Sequence, residues 1–230
     1  MNLILENSNQ VENYTYLNDV FNGIDNQQVN YNWLISDIEC NYYPTEIFRD
    51  HLVWISGEKL TEIINKFRIQ FIWAVLSGIP KSVCKENVDF SVMPFANGND
   101  NLWTGEVTLQ HPQAKIEIVC WDSESTLLIT DEAGLSNKYL EQYSDAKNLD
   151  EMNILTSNQI NYIKSVIDQY YEKHEMNIEK SLFMALVNSC RIELCRNNYR
   201  SVFTSKDDKK IIETVFKIYR HKTSSNTLVT

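Results

Sequence analysis

The sequence predicts an α+β protein: a mainly antiparallel sheet with packed helices over residues 1–150, followed by an α-helical part over 151–230. Three observations carry this. Residues 104–130 alternate between apolar and polar in short runs separated by turn residues, the pattern of a meander. Residues 69–77 are apolar on both faces and rich in aromatic and β-branched side chains, as a central strand is. Past Asp150, apolar residues recur at spacings of three and four.

In chain order, Asn2–Leu5 reads as a short strand. A helix is predicted over Val11–Asn22, with Tyr14, Leu17 and Phe21 on one face and Gly23 placed as its closing glycine. Tyr31–Cys40 alternates, so that Trp33, Ile35, Asp37 and Glu39 share one face and Leu34, Ser36, Ile38 and Cys40 the other. Ser56 caps a helix over Gly57–Phe67, whose stripe is Leu60, Ile63, Ile64 and Phe67. The central strand Ile69–Ser77 ends at Gly78-Ile79-Pro80. Residues 81–101 show little pattern beyond a short strand at Phe90–Met93.

The meander comprises Thr104–Gln110, Ala114–Trp121 and Thr126–Thr130, joined by His111-Pro112-Gln113 and by Asp122 to Ser125. Leu135, Tyr139 and Tyr143 line a helix over Glu132–Tyr143. Ser157 is placed to cap a helix carrying Ile160, Ile163, Ile167, Tyr170, Tyr171 and His174. A second helix follows with Ile178, Leu182, Ala185 and Leu186. Arg191–Phe203 fits either a helix or a hairpin turning at Asn197-Asn198. Ser205-x-x-Asp208 reads as a capping box before Ile211, Ile212, Val215, Phe216 and Tyr219.

Charge is divided unevenly. Residues 1–150 hold nine Lys+Arg against 22 Asp+Glu, a net of −13, whereas 151–230 hold twelve against nine, a net of +3. An acidic body keeps a chain soluble, repels nucleic acid and anionic membranes, and attracts basic protein surfaces. The expected partner is therefore a basic protein, with no membrane role and with nucleic acid disfavoured, contact through residues 191–220 being the alternative that would involve it. Residues 191–220 hold the one basic concentration, with Tyr199 and Phe203 interleaved, but acidic neighbours dilute it. Five cysteines without a C-x-x-C pair exclude a disulfide framework or a structural zinc motif and fit a reducing, cytoplasmic setting. The longest strong apolar run, Phe71–Leu76, is far short of the ~20 residues that span a bilayer.

No phosphate loop, nucleophile elbow or zinc-binding histidine pair is present, so no cofactor is expected and catalysis has little to stand on. Cys120 alternates with Ile116 and Ile118, as a packed thiol does. Asp37 and Glu39, placed about 7 Å apart on one strand face, are the carboxylates left for an enzyme, in which case a metal-dependent hydrolase or nuclease. The other reading is a protein interface of aromatic residues among carboxylates: Trp33, Asp37, Glu39, Tyr42, Tyr43, Trp103, Asp122 and Glu124.

Within residues 56–143, three stretches bear a family likeness: Ser56-Gly57-Glu58-Lys59-Leu60, Phe71 to Pro80, and Ile116 to Ser123 leading into Thr126-Leu127-Leu128-Ile129. Together they resemble small bacterial α+β proteins of the kind found among the immunity partners of secreted toxins. The resemblance implies an acidic, cytoplasmic, non-catalytic binding protein. The helical C-terminal part departs from that type. The expectation is an inhibitor or immunity protein that neutralises a basic partner such as a nuclease.

Overall fold

A computed structural model describes residues 1–43, 46–175, 180–195 and 202–225. The chain divides into two compact units, Met1–Met152 and Asn153–Thr230.

The first unit is an α+β domain built on a seven-stranded antiparallel sheet. Its strands are β1 (Leu3–Leu5), β2 (Tyr31–Cys40), β3 (Leu52–Ser56), β4 (Phe71–Pro80), β5 (Ile116–Trp121), β6 (Ser125–Thr130) and β7 (Lys147–Asn148). They lie in the order β3-β2-β4-β5-β6-β1-β7. Three helices, α1 (Leu17–Gly23), α2 (Gly57–Lys66) and α3 (Ala133–Gln142), pack on one face. There Leu17, Phe21, Leu60, Ile64, Leu135 and Tyr139 meet Trp33, Ile35, Leu76, Ile116, Ile118 and Cys120. On the other face, Val88, Ala96, Leu102 and Val107 of the segment 81–114 pack against Leu34, Val75, Ile79, Val119 and Leu127, joined by Leu149 at the start of the helix that follows β7.

Several elements form for the reasons read in the sequence. The Ser56 hydroxyl accepts the Lys59 N–H at 3.2 Å and starts α2. At the β5–β6 turn, Asp122 and Ser123 hold φ of 48° and 58°, and the Glu124 N–H returns to the Trp121 carbonyl at 2.9 Å. That geometry matches the twist of the flanking strands.

Other elements depart from expectation. The first helix begins at Leu17 rather than Val11, because polar residues ahead of it bond locally. The Ser8 N–H donates to the Tyr14 hydroxyl at 2.8 Å, which donates back to the Ser8 carbonyl at 2.9 Å. Gly23 is the last helical residue; a Cβ there would fall 2.6 Å from the Tyr139 ring, so it serves close packing. A strand at Leu52–Ser56 precedes α2, and β4 runs on through Gly78-Ile79-Pro80, its final Pro80 opposite Tyr31.

The predicted strands Phe90–Met93 and Thr104–Gln110 are absent. In the latter stretch, backbone N–H groups bond to side chains in place of a neighbouring strand. Val107 donates to Asp150 at 2.9 Å, while Gln110 and His111 each donate to Glu117 at 2.8 Å.

In the second unit, helices α4 (Leu149–Lys173), α5 (Lys180–Cys195) and α6 (Asp208–Ser225) share a core of Ile163, Ile167, Tyr171, Val187, Cys190, Ile211 and Val215. The first residues of α4 belong to the first unit, so Ser157 sits within the helix and does not cap it. The box before α6 lies one residue earlier than predicted. The Asp207 carboxylate accepts the Thr204 N–H at 2.9 Å, and the Asp207 N–H donates to the Thr204 carbonyl at 2.8 Å. Arg191 to Cys195 is helical, the first of the two alternatives, while Ile178 and the Asn197-Asn198 position of the alternative hairpin lie outside the described residues. Among the described residues, no helix is long and apolar enough to cross a membrane.

Candidate functional site

A bulge in β2 rearranges the predicted surface. Pairing of β2 with β4 steps from Ser36↔Val75 to Glu39↔Trp73, so the former strand has one extra residue. Asp37 sits in the left-handed region with φ 54°, which aspartate tolerates better than most residues. One of its carboxylate oxygens accepts the N–H groups of Ala96 and Asn97, both at 2.8 Å. The bulge also exchanges the faces. Cys40 joins Trp33 and Ile35 in the helix-covered core, and Glu39 moves to the opposite side beside Trp73.

Trp33, Asp37 and Glu39 therefore do not share a face, contrary to the simple alternation. Trp33 is fully buried, and its indole N–H donates to the Gln28 carbonyl at 3.0 Å. It leaves the candidate surface. Asp37 is occupied in fastening the 94–97 loop. Asp37→Ala is expected to cost about 1–2 kcal/mol from the lost backbone bonds and the strained φ. Asp37→Asn, which keeps an acceptor and the tolerated φ, should cost about half as much; urea unfolding measures both. Among the described residues, no group of three or more His, Cys, Asp or Glu is arranged to hold a metal ion.

The remaining predicted residues collect at one end of the sheet, where β2, β5 and β1 finish and β4 and β6 begin. Glu39 stands opposite Trp73. Trp73 meets Trp121 at 4.9 Å between ring centroids, and Trp121 meets Trp103 at 4.8 Å, both pairs nearly perpendicular. Such edge-to-face contacts hold the three indoles as one rigid group. Asp122 and Glu124 project from the adjoining turn and are exposed. Tyr42 exposes more than half its surface, at 56%. Tyr43 is instead half-buried, its hydroxyl accepting the Cys40 N–H at 3.3 Å, while Pro44 lies outside the described residues.

Beside the indoles opens a cleft of about 470 Å³, walled by Tyr14, Trp103 and Trp121 and edged by Glu6, Glu12 and Glu124. Its carboxylates differ in what answers them. Glu6 pairs with Lys147 at 3.1 Å, and Glu12 with Arg68 on the open surface. The Glu124 carboxylate meets no cation among the described residues. The buried indole N–H of Trp103 finds no acceptor there either. Trp121, Glu6 and Glu12 escaped the sequence reading. Trp121 continues the apolar parity of Val119 and reads as core, Glu6 merely follows the short first strand, and Glu12 falls inside the stretch Val11–Asn22 that reads as helix. The available signal was Trp73 and Trp121 near the adjoining ends of two strands.

Two cysteines and one histidine, residue types that catalysis uses, are engaged in the core: Cys120, Cys190 and His111. Burial raises the Cys120 thiol well above the usual thiol range, and the Cys190 thiol to about 12, so neither supplies a thiolate near neutrality. His111 is fully buried, its Nε2 at 3.2 Å from the Asp89 carbonyl and its Nδ1 accepting the Gln113 N–H at 3.3 Å. In the second unit, Phe203 is buried with the helical core and offers no stacking platform, and Arg196, Tyr199 and Arg200 lie outside the described residues.

Comparison with protein-family models, curated proteins and solved structures finds no match for this chain.

Proposed function

We propose that the chain is a non-catalytic protein-binding protein: an acidic inhibitor, of the immunity type that its sequence resembles, neutralising a basic partner such as a nuclease toxin in the bacterial cytoplasm. The observation that carries this reading is the end of the sheet where Glu6, Glu12, Glu39, Asp122 and Glu124 surround Trp73, Trp103 and Trp121. Interface hot spots have this composition: large, rigid aromatic groups that bury area at little entropic cost, ringed by polar residues. A net of −13 over residues 1–150 adds long-range attraction for a cationic surface and raises the encounter rate. Inhibition follows by occupation, since a nuclease surface that receives an anionic strand also receives an anionic protein.

The test is capture from the native host with the tagged chain at about 50 mM and about 500 mM salt, the lower allowing and the higher screening charge attraction, read by mass spectrometry. One stoichiometric basic protein, held at low salt and weakened at high salt, is the expected result. The Glu124→Lys variant should hold it at least tenfold less tightly, because reversal replaces attraction by repulsion at a steering position. Recovery of no basic protein at either salt contradicts the reading; equal recovery by the variant would move the docking surface away from Glu124.

A further inference from the structure

We infer that the cleft between Tyr14, Trp103 and Trp121 is a receptor for a single cationic side chain of the partner, an arginine. This inference rests on the protein-binding reading above and specifies its anchor. The walls are aromatic and meet nearly at right angles, since the Trp103 and Trp121 planes are 80° apart. Tyr14 is fixed by its paired hydrogen bonds to Ser8, so the third wall is also pre-formed. An aromatic wall attracts a positive charge through the ring quadrupole, and more strongly when the charge is weakly hydrated.

Glu6, Glu12 and Glu124 line the same cleft, and Glu124 has no cation of its own among the described residues. The carboxylates do not converge as metal ligands, and aromatic walls are poor company for a hydrated metal ion. They suit an organic cation. About 470 Å³ lies within the ~300–1,000 Å³ range of ligand pockets, which admits an extended side chain with its waters.

The choice of arginine has a precedent on the rim itself. Arg68 pairs with the cleft residue Glu12 while its guanidinium lies 4.9 Å from the centre of the Tyr16 ring. One cation there uses a carboxylate and an aromatic face together. A planar guanidinium does both at once, whereas an ammonium makes a point contact and keeps its water more firmly. A partner arginine entering the cleft would meet Glu124 in the same manner, over Trp103 and Trp121.

Calorimetric titration of the full chain with a hexa-arginine peptide tests this, with hexalysine and the neutral hexa-citrulline peptide as comparators. Saturable binding of hexa-arginine is expected, weaker binding of hexalysine, and none of hexa-citrulline. Glu124→Gln, on an exposed turn, should weaken hexa-arginine binding by about three- to tenfold, as should Trp103→Leu. If Trp103→Leu does not fold, Glu124→Gln alone decides. Binding unchanged by Glu124→Gln would overturn the cleft as the arginine site while leaving a basic partner to dock elsewhere on the acidic unit. Failure of hexa-arginine to bind would also overturn it. The broader reading stands or falls separately, on the capture of a basic protein.

Discussion

Glu117→Ala is expected to destabilise the first unit by about 3–5 kcal/mol, the combined cost of leaving buried donors unsatisfied and opening a void. Glu117 is fully buried in the middle of β5, opposite Ser77 of β4 and Ile129 of β6. One carboxylate oxygen accepts the Ser77 hydroxyl at 2.9 Å and the His111 N–H at 2.8 Å, and the other accepts the Gln110 N–H at 2.8 Å. Alanine leaves three donors unanswered and a void. Equilibrium urea unfolding measures the loss, provided that the first unit's transition is followed. Because the 104–114 segment is tied to the sheet through this carboxylate, hydrogen exchange at Gln110 and His111 should accelerate before global unfolding.

The same residue gives a pH signature. Burial pushes the Glu117 carboxyl above its ordinary value of 4.5, against the downward pull of its three donors. The folded chain thus holds this proton more tightly than the unfolded chain. Its contribution to stability is full below about 4.5 and is lost as pH rises through the folded value. Relative to Glu117→Gln, which cannot titrate, the wild type should lose stability as the pH rises above about 4.5. An advantage over the variant that widens with rising pH would contradict the assignment.

Gly57→Ala is expected to cost about 3 kcal/mol, at the upper end of overpacking effects, because its added methyl meets backbone and not a movable side chain. A Cβ at Gly57 would lie 2.0 Å from the Gln28 carbonyl oxygen and 2.8 Å from the Val29 Cα. That carbonyl accepts the Trp33 indole N–H at 3.0 Å, so displacing it also disturbs the largest fully buried side chain. Gly134 supplies the contrast. It lies in the exposed first turn of α3, where an added methyl would meet nothing within 4 Å, and Gly134→Ala should stabilise by about 0.5–1 kcal/mol. Thermal unfolding of the two variants should therefore shift in opposite directions.

What the chain discloses in one dimension depends on where its hydrogen bonds go. The span Tyr31–Cys40, the Ser56 cap and the 116–130 hairpin are local patterns satisfied by neighbouring backbone, and their residues announce them. Val107 and Leu109 also alternate, but the Asp150 and Glu117 side chains take the nearby N–H groups, and periodicity carries no record of that. Leu52–Ser56 is too short to stand out ahead of a capped helix. The candidate surface suffered from one residue. With Asp37 in the left-handed region, every later position of β2 changes face, so Glu39 goes to Trp73 on the side opposite the core face that holds Trp33. Trp103 and Glu124 do meet in one cleft, yet the partner that completes it, Trp121, looks like core when read along its strand.

The most direct test of the binding surface is the indole ¹H–¹⁵N spectrum of the chain, whose five tryptophans each give one resonance, recorded with the captured basic partner. Assigned by single Trp→Phe variants, the Trp103, Trp121 and Trp73 signals are expected to shift or broaden with added partner, and the buried Trp33 signal to stay in place. Binding that moves Trp33, or Trp54 of β3, whose ring meets Phe90, and leaves the other three unchanged would contradict the account.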